Sequence, residues 1–155
     1  MAEDGFLRRA VLEPLARQLT QGVTPRRLAL ALALGLVLGA FPVLGTTTLL
    51  CAAVGVALRL NQPALQVANY VAYPLQLGLL LPFFDAGARL FGLPPVPFTL
   101  DELRRQVAAD GWATLARYAG ANARAAVAWA VVAPLAAGVL YLVLWAVLAW
   151  ARRPR

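Results

Sequence analysis

Residues 28–58 read LALALALGLVLGAFPVLGTTTLLCAAVGVAL, thirty-one positions without a charged side chain. A single helix of this length would measure roughly 46 Å at about 1.5 Å per residue, well beyond the ~30 Å hydrocarbon core of a bilayer. Near its middle lies the segment FPVLG at 41–45, in which Pro42 and Gly45 disfavour a continuous helix. The sequence therefore predicts two half-helices, about 28–41 and 46–58, each too short to cross the core.

Small residues recur at helical spacing on both halves: Ala31, Gly35 and Gly39 on the first, and Thr47, Cys51 and Gly55 on the second. Folding the chain about Val43 brings these two faces into register, and close approach through small residues is how helices associate in lipid. Arg27 and Arg59 could then reach the same membrane surface. We therefore predict a re-entrant helical hairpin over 28–58. The alternatives are a dimer face at Gly35-x-x-x-Gly39 or a simple effect of Ala/Gly-rich composition.

The composition of the 155 residues agrees with a membrane protein: 61% are hydrophobic and 14% charged, against about 45–50% and 25% in soluble domains. The sequence contains no His, Ser or Lys, which excludes a Ser-His triad, a lysine Schiff base and an imidazole metal site. The single cysteine, Cys51, cannot form an internal disulfide. We therefore predict that the chain is not an enzyme and holds no metal and no cofactor.

Two further segments lack charge, and we predict a transmembrane helix in each, over 61–84 and 125–151. The first carries a polar ridge at spacings of four, three, four and three, which places its members on one helical face. The ridge consists of Gln62, Gln66, Asn69, Tyr73 and Gln76. Pro74 predicts a kink in this helix. The ridge has two open interpretations: hydrogen bonds between helices, or the lining of a functional polar cavity.

The remaining segments complete an all-α integral membrane protein. Residues 85–124 are predicted to form a loop with an amphipathic interfacial helix, which starts at the capping-box pattern Thr99-Leu100-Asp101-Glu102. A basic segment, 1–27, and a basic tail, 152–155, flank the single membrane domain at 28–151. By the positive-inside rule both termini are predicted to be cytoplasmic. The fold is then a re-entrant hairpin, two transmembrane helices, one of them kinked, and the interfacial helix.

Several short motifs resemble a known family. In order they are Thr24-Pro25, Gly35-x-x-x-Gly39-x-Phe41-Pro42-x-x-Gly45-x-x-Thr48, Leu58-Arg59-Leu60-Asn61-x-Pro63, Tyr73-Pro74 and Phe91-Gly92. They resemble the bacterial family called domain of unknown function 2062, over about 23–92. The resemblance implies a multi-pass protein of the bacterial inner membrane, joined in some relatives to a glycosyltransferase-like part, and it implies no established activity. Members usually carry Asn before the second proline, where this chain has Tyr73, so Asn69 or Tyr73 could take that role. The structural motif residues are Gly35, Gly39, Pro42, Gly45, Arg59, Asn61 and Pro74.

The first functional hypothesis is transport or handling of an anionic or lipid-linked substrate. Broken half-helices often form substrate sites in transporters, and a helix N-terminus presents free N–H groups to anions. The predicted substrate-binding residues are Thr46, Thr47, Thr48, Gln66, Asn69, Tyr73 and Gln76. Because three apolar segments hardly enclose a path, this hypothesis also predicts a homo-oligomer.

The alternative hypothesis is a membrane-embedded interaction or assembly module for an envelope-polymer enzyme or another membrane partner. In that case the small-residue faces and the polar ridge would dock the partner. The net charge of +7 arises from arginines that flank the apolar segments, where orientation and anionic lipid headgroups account for them. We therefore predict contact with the lipid bilayer and no nucleic-acid partner.

Overall fold

The computed structural model describes residues 24–94 and 100–151, and every regular element in these two ranges is an α-helix. The helices are α1 (Pro25–Gly39), α2 (Thr47–Ala57), α3 (Gln62–Val71), α4 (Tyr73–Leu90), α5 (Leu100–Ala109) and α6 (Gly111–Ala151). The all-helical prediction is confirmed for this part of the chain. Most of the predicted basic N-terminal segment, the basic tail and Thr99 of the capping box lie outside the described residues.

The break predicted inside 28–58 separates α1 from α2. Pro42 is buried in the connection, and Gly45 has a φ of 82°, in the left-handed region that glycine adopts without strain. Pro42 also has no N–H to donate to a preceding carbonyl, so a helix cannot run through the connection intact. The two half-helices are therefore present: α1 begins three residues and ends two residues before the predicted bounds, and α2 is one residue shorter at each end.

Two of the motifs are helix starts. The Thr24 hydroxyl oxygen accepts a hydrogen bond from the Arg27 N–H at 3.3 Å, and Pro25 occupies the first turn of α1. The Asn61 side-chain oxygen accepts from the Ala64 N–H at 2.9 Å at the start of α3. Each cap satisfies an N–H that the first helical turn leaves without an intrahelical acceptor. The spacing of these motifs is thereby explained by capping.

Arg59 ends α2 in a conformation that usually belongs to glycine, with φ at 51°. The N–H of Leu60 donates to the Gly55 carbonyl at 2.8 Å, and the Arg59 N–H donates to Val56 at 3.1 Å. This pair of bonds is the Schellman motif, whose left-handed position is most often glycine. Gly92, with φ at 63°, holds the equivalent position at the end of α4.

Helix α3 lies parallel to α1 and fills the space beside its two glycines. A Cβ at Gly35 would lie 2.6 Å from the Cβ of Ala68 and would also meet the Leu65 carbonyl. A Cβ at Gly39 would lie 2.8 Å from the Cβ of Ala72. The predicted register, with these glycines facing the second half-helix, differs from the structure. The reason is that α3, rich in alanine on the same face, packs against α1 at this surface.

The same helix α3 runs antiparallel to α2. The Gln62 Nε2 donates to the Ala52 carbonyl at 3.0 Å, and the Gln66 Nε2 donates to the Thr48 carbonyl at 3.1 Å, so the residue numbers run in opposite directions. Since α3 is parallel to α1, α1 and α2 are themselves antiparallel, and they contact each other. The arginines that flank this hairpin therefore lie at the same end of it.

Helix α6 packs antiparallel along α1. The Arg26 guanidinium lies 5.5 Å from the ring centroid of Trp145, a cation–π contact. Sixteen residues earlier in α6, the Trp129 Nε1 donates to the Val37 carbonyl at 3.2 Å, and its ring meets Phe41 edge to face at 5.0 Å. The C-terminal end of α6 thus lies beside the arginine-flanked end of the hairpin, and Trp129 lies at the break.

The predicted transmembrane helix over 61–84 is divided in the structure into α3 and α4, which meet at Ala72 with a bend of 60°. The bend is sharper than the kink predicted from Pro74. Pro74 occupies the first turn of α4, where its missing N–H and its ring prevent α3 from continuing. Beyond the bend α4 packs on α6, with Gly87 against the backbone of Arg124 and Ala125.

The prediction of a loop over 85–124 is corrected at both ends. Helix α4 continues to Leu90, and α6 begins at Gly111, where the Asp110 carboxylate accepts from the Ala113 N–H at 2.9 Å. Helix α5 lies where the interfacial helix was predicted. Charged side chains mark where an apolar segment ends, but a helix ends where its cap lies, and these positions differ here.

Within the described residues, one helix is long and apolar enough to cross a membrane, or two spans exist if the bent pair α3–α4 counts as one. The long helix is α6, with 41 residues. At about 1.5 Å per residue it measures roughly 60 Å, twice the ~30 Å of a hydrocarbon core.

Substituting Gly35→Ala should destabilise the protein by about 1–3 kcal/mol, because the new methyl group forces α1 away from α3. The matched control is Gly78→Ala in α4, where nothing lies within 4 Å of an added Cβ. That change should be neutral or stabilising by up to about 1 kcal/mol. Denaturant unfolding of the detergent-purified protein, followed by circular dichroism, measures both. Equal losses in the two variants would contradict the close packing of α1 on α3.

Substituting Arg59→Gly should stabilise the protein by about 1 kcal/mol, because glycine relieves the left-handed conformation at no steric cost. Arg59→Ala removes the same guanidinium and keeps the strained backbone, so it separates conformation from charge. The same unfolding measurement compares them. If the alanine variant gains as much as the glycine variant, the effect comes from the charge and not from the backbone.

Candidate functional site

A cavity of about 320 Å³ opens between the start of α2 and the bend that joins α3 to α4. Its lining residues are Gly45, Thr47, Thr48, Asn69, Tyr70, Tyr73 and Gln76. Five of the seven predicted substrate-binding residues thus lie around one space. The other two, Thr46 and Gln66, lie beside it: the Thr46 hydroxyl donates to the Val43 carbonyl at 2.8 Å within the turn.

Gln76 connects the cavity to the break in the hairpin. Its side chain is 1% exposed, and its Nε2 donates to the Phe41 carbonyl at 2.7 Å. That carbonyl lies just beyond the last turn of α1, where no later N–H of the helix can reach it. A buried carbonyl without a donor would cost roughly 1–3 kcal/mol, so Gln76 stabilises the break.

The amides of the polar ridge form hydrogen bonds within the chain. Three of its amides, Gln62, Gln66 and Gln76, donate to backbone carbonyls of α2 or of the break. Of the two interpretations left open by the sequence, hydrogen bonding between helices therefore describes these three residues. Asn69 and Tyr73 make no such bond to the hairpin backbone in the part of the chain that the structure describes.

Asn69 has a defined amide orientation. Because Gln66 must turn its NH₂ toward the Thr48 carbonyl, its Oε1 faces Asn69, whose Nδ2 donates to it at 3.3 Å. The Thr48 carbonyl thus fixes the orientation of the Gln66 amide, and the Gln66 amide in turn fixes that of Asn69. The Oδ1 of Asn69 is then left as an acceptor. It is buried and has no hydrogen-bond donor among residues 24–94 and 100–151.

The start of α2 supplies donors to the same cavity. The first backbone bond of the helix is from the Leu50 N–H to the Thr46 carbonyl at 3.0 Å, and no side chain caps this end. The N–H groups of Thr47, Thr48 and Leu49 consequently have no acceptor within the described residues. Together with the positive end of the helix dipole, they favour an anion.

Asn69 and Tyr73 occupy different environments. Asn69 is 3% exposed, whereas Tyr73 is 53% exposed at the edge of the cavity. Of the two, Asn69 is the buried amide that faces the bend. The sequence did not indicate Tyr70, which lies off the ridge, or Trp129, whose indole bonds to α1 beside the break. A large aromatic residue among the alanines of α6 was the only available signal for Trp129.

A second, apolar groove of about 220 Å³ lies between α1, α4 and α6. Its lining includes Ala40, Leu75 and Trp129. Leu75 and Gln76 are consecutive, as are Ala40 and Phe41, so the groove and the polar cavity flank the contact between Gln76 and the break. No group of three or more possible metal ligands occurs among the residues that the structure describes.

Substituting Gln76→Leu should destabilise the protein by about 1–3 kcal/mol, because the Phe41 carbonyl loses its donor in a buried setting. Tyr73→Phe, one turn earlier, removes a hydroxyl at the exposed edge and should change stability by less than about 0.5 kcal/mol. Thermal unfolding followed by circular dichroism measures both variants. A loss at Gln76 no larger than that at Tyr73 would show that the bond does not hold the break.

The comparisons with known proteins agree with these motifs. The model of the family described as an uncharacterized protein conserved in bacteria, DUF2062, matches residues 8–155. That match includes α5 and α6, beyond the motifs at 23–92. Neither the curated proteins nor the solved structures contain a match to the chain. The chain therefore belongs to the bacterial family DUF2062.

Proposed function

We propose that this is a protein of the bacterial inner membrane that binds an anionic group, free or lipid-linked, in the cavity beside the hairpin break, and that it transports or handles that substrate. The observation that carries the proposal is the start of α2. Three of its N–H groups have no acceptor in the described residues, and two of these belong to Thr47 and Thr48, which line a cavity whose lining carries no carboxylate. An anion would satisfy these donors and interact favourably with the helix dipole.

The exposed apolar surface supports insertion in the membrane. The most apolar 18-residue window of α6 has none of its residues buried inside the protein, which suits a helix surrounded by lipid. Helix α1 has 15 residues, roughly 22 Å at about 1.5 Å per residue. The hairpin would therefore enter a ~30 Å core and return without crossing it.

The distribution of arginine supports an orientation. Arg26 and Arg27 begin α1, Arg59 follows α2, and the end of α6 lies beside them. The positive-inside rule assigns this end to the cytoplasm. The break and its cavity would then lie deep in the bilayer, accessible from the opposite side or from the lipid.

The absence of arginine from the cavity lining also bears on the type of binding. A site built from N–H groups and hydroxyls holds an anion without a permanent counter-charge, so the ligand can leave as well as enter. The adjacent apolar groove could accommodate the chain of a lipid-linked substrate. Both properties suit transport or handling better than permanent storage.

The assembly hypothesis has less structural support. It requires the small-residue face and the polar ridge to be available to a partner, but Gly35 packs on α3 and Gln66 donates to Thr48 within the chain. A homo-oligomer and a membrane partner stay predictions, as does the absence of enzymatic activity.

A labelling experiment tests the proposal. In a Cys51→Ala background, which removes the buried native thiol, Thr48→Cys and Tyr73→Cys should react in native membranes with a water-soluble maleimide. Leu49→Cys is the matched control, because Leu49 is 74% exposed, does not line the cavity and should be covered by lipid. Millimolar inorganic phosphate, compared with chloride at equal ionic strength, should slow labelling of Thr48→Cys.

Two results would contradict the proposal. Rapid labelling of Leu49→Cys would show that α2 is not in lipid. Labelling of Thr48→Cys that no anion slows, including phosphate and a lipid phosphate, would show that the cavity is wet but binds no anion. Absence of labelling in membranes, with labelling after purification, would instead favour a bound partner and the assembly hypothesis.

A further inference from the structure

The open end of the hairpin, opposite the break, carries three arginines whose positions are unfavourable within the chain. We propose that Arg26, Arg27 and Arg59 bind an anionic phospholipid whose headgroup carries two phosphates, and that this lipid joins the start of α1 to the end of α2. The inference rests on the proposed membrane insertion. It does not depend on the anion cavity, because none of the three arginines lines that cavity.

The start of α1 and the end of α2 share a core. Leu28 and Leu60 are both buried and belong to one hydrophobic cluster. Each of these leucines directly follows an arginine, Arg27 in the first case and Arg59 in the second. Both arginine side chains are exposed, as is that of Arg26. The three positive charges are therefore presented to the surroundings at one end of the protein.

Arg59 holds a guanidinium at a position where glycine would be more favourable. Its φ of 51° lies in the left-handed region, where a Cβ approaches the following carbonyl oxygen and glycine makes no such contact. Membrane orientation requires positive charge at this end but not at this residue. Leu58, one position earlier, is 51% exposed with φ at −94°, so an arginine there would be free of that strain. The strain indicates a role for the Arg59 side chain besides orientation.

The start of α1 contains a second unfavourable arrangement. Arg26 and Arg27 lie in the first turn, at the positive end of the helix dipole, and no acidic residue accompanies them there. No Asp or Glu occurs between positions 14 and 84 or after Asp110. Helices α1, α2, α3 and α6 therefore contain no carboxylate that could offset these charges. An anion from outside the chain would relieve both arrangements at once.

The surroundings of the arginines favour a lipid headgroup over a water-soluble anion. The Arg26 guanidinium lies 5.5 Å from the centroid of the Trp145 ring, and tryptophan is typical of the level of the lipid headgroups. Close to Arg59 in sequence, Val56 is 72% exposed and Leu58 is 51% exposed. Apolar side chains next to exposed arginines suit the boundary between acyl chains and headgroups, where basic sites between helices bind phospholipids.

The arrangement of the charges favours two phosphates in one headgroup. Helices α1 and α2 contact each other, and packed helices lie about 8–10 Å apart. A single phosphate at one helix end would leave the arginine at the other end without an anion. A headgroup with two phosphates supplies an acceptor to each end, and charge-assisted bonds from guanidinium groups are among the strong hydrogen bonds. The bound lipid would hold the two half-helices together at their open end.

Thermal unfolding of the full chain purified in detergent tests the inference, with circular dichroism as the signal. Dioleoyl phosphatidylcholine, dioleoyl phosphatidylglycerol and tetraoleoyl cardiolipin are added at equal phosphate concentration, and only cardiolipin carries two phosphates in one headgroup. A ligand that binds only the folded state raises the melting temperature. Cardiolipin should raise it by about 5 °C or more, phosphatidylglycerol by less than about half as much, and phosphatidylcholine by less than about 1 °C.

Variants that remove charge locate the site. Arg27→Gln and Arg59→Gln should each remove about half or more of the shift produced by cardiolipin, because each withdraws a guanidinium from the headgroup. Arg117→Gln is the matched control. It makes the same change in charge at an exposed arginine near the other end of α6, and it should keep the full shift.

Arg59→Gly separates the lipid contact from the backbone strain. Without lipid this variant should melt at a higher temperature than the unaltered protein, because glycine relieves the strain. Its further gain on addition of cardiolipin should be about half or less of the gain of the unaltered protein. A purely structural role for Arg59 would leave that gain unchanged and would contradict the inference.

The other contrary results concern the lipid. Absence of a shift with cardiolipin, or an equal shift with phosphatidylglycerol, would overturn the inference. An equal shift with inorganic diphosphate that is lost in Arg59→Gln would assign a water-soluble ligand and would also overturn it. A cardiolipin shift that persists in both arginine variants would place the lipid elsewhere, including the anion cavity, and would leave the proposed function standing. Failure of membrane insertion is detected separately, by rapid labelling of Leu49→Cys.

Discussion

The structure depends on satisfying the backbone where α1 is interrupted. Helices are the usual solution in apolar surroundings because they pair every N–H and C=O internally, and Pro42 and Gly45 end that pairing. The carbonyl of Phe41 instead accepts a hydrogen bond from the Gln76 amide at 2.7 Å. A break of this kind requires a nearby polar side chain, and the polar ridge supplies it. The fold of α3 and α4 against the hairpin follows from this requirement.

Helix α3 makes the arrangement compact. It lies parallel to α1, where Gly35 allows the backbones to approach closely, and antiparallel to α2, where Gln62 and Gln66 donate across the interface. Van der Waals contact holds one side and hydrogen bonds hold the other, which are the two forces that associate helices when hydrophobic drive is weak. The 60° bend then directs α4 along α6.

The break and the polar ridge could be predicted from the sequence because each has a local cause: a Pro–Gly segment, and a helical spacing of amides. The partners of Gly35 could not, because small residues on several helices are equally compatible and only the assembled packing chooses among them. Helix ends were also missed at Leu90 and Gly111. Charge indicates where lipid becomes unfavourable, whereas Gly92 and Asp110 decide where hydrogen bonding stops. Thr48 and Asn69 could be predicted as cavity residues, because the hairpin break and the polar ridge that form the cavity both have local causes in the sequence.

The three glutamine bonds between the ridge and the hairpin have a mechanical consequence. Each joins α3 or α4 to a carbonyl of α2 or of the break, so swinging the hairpin outward would rupture all three together. The cavity is consequently preformed, and it does not open by movement of the hairpin away from α3 and α4. The cavity is therefore reached from its open side, where Tyr70 and Tyr73 are more than half exposed and can rotate about their own side-chain torsions.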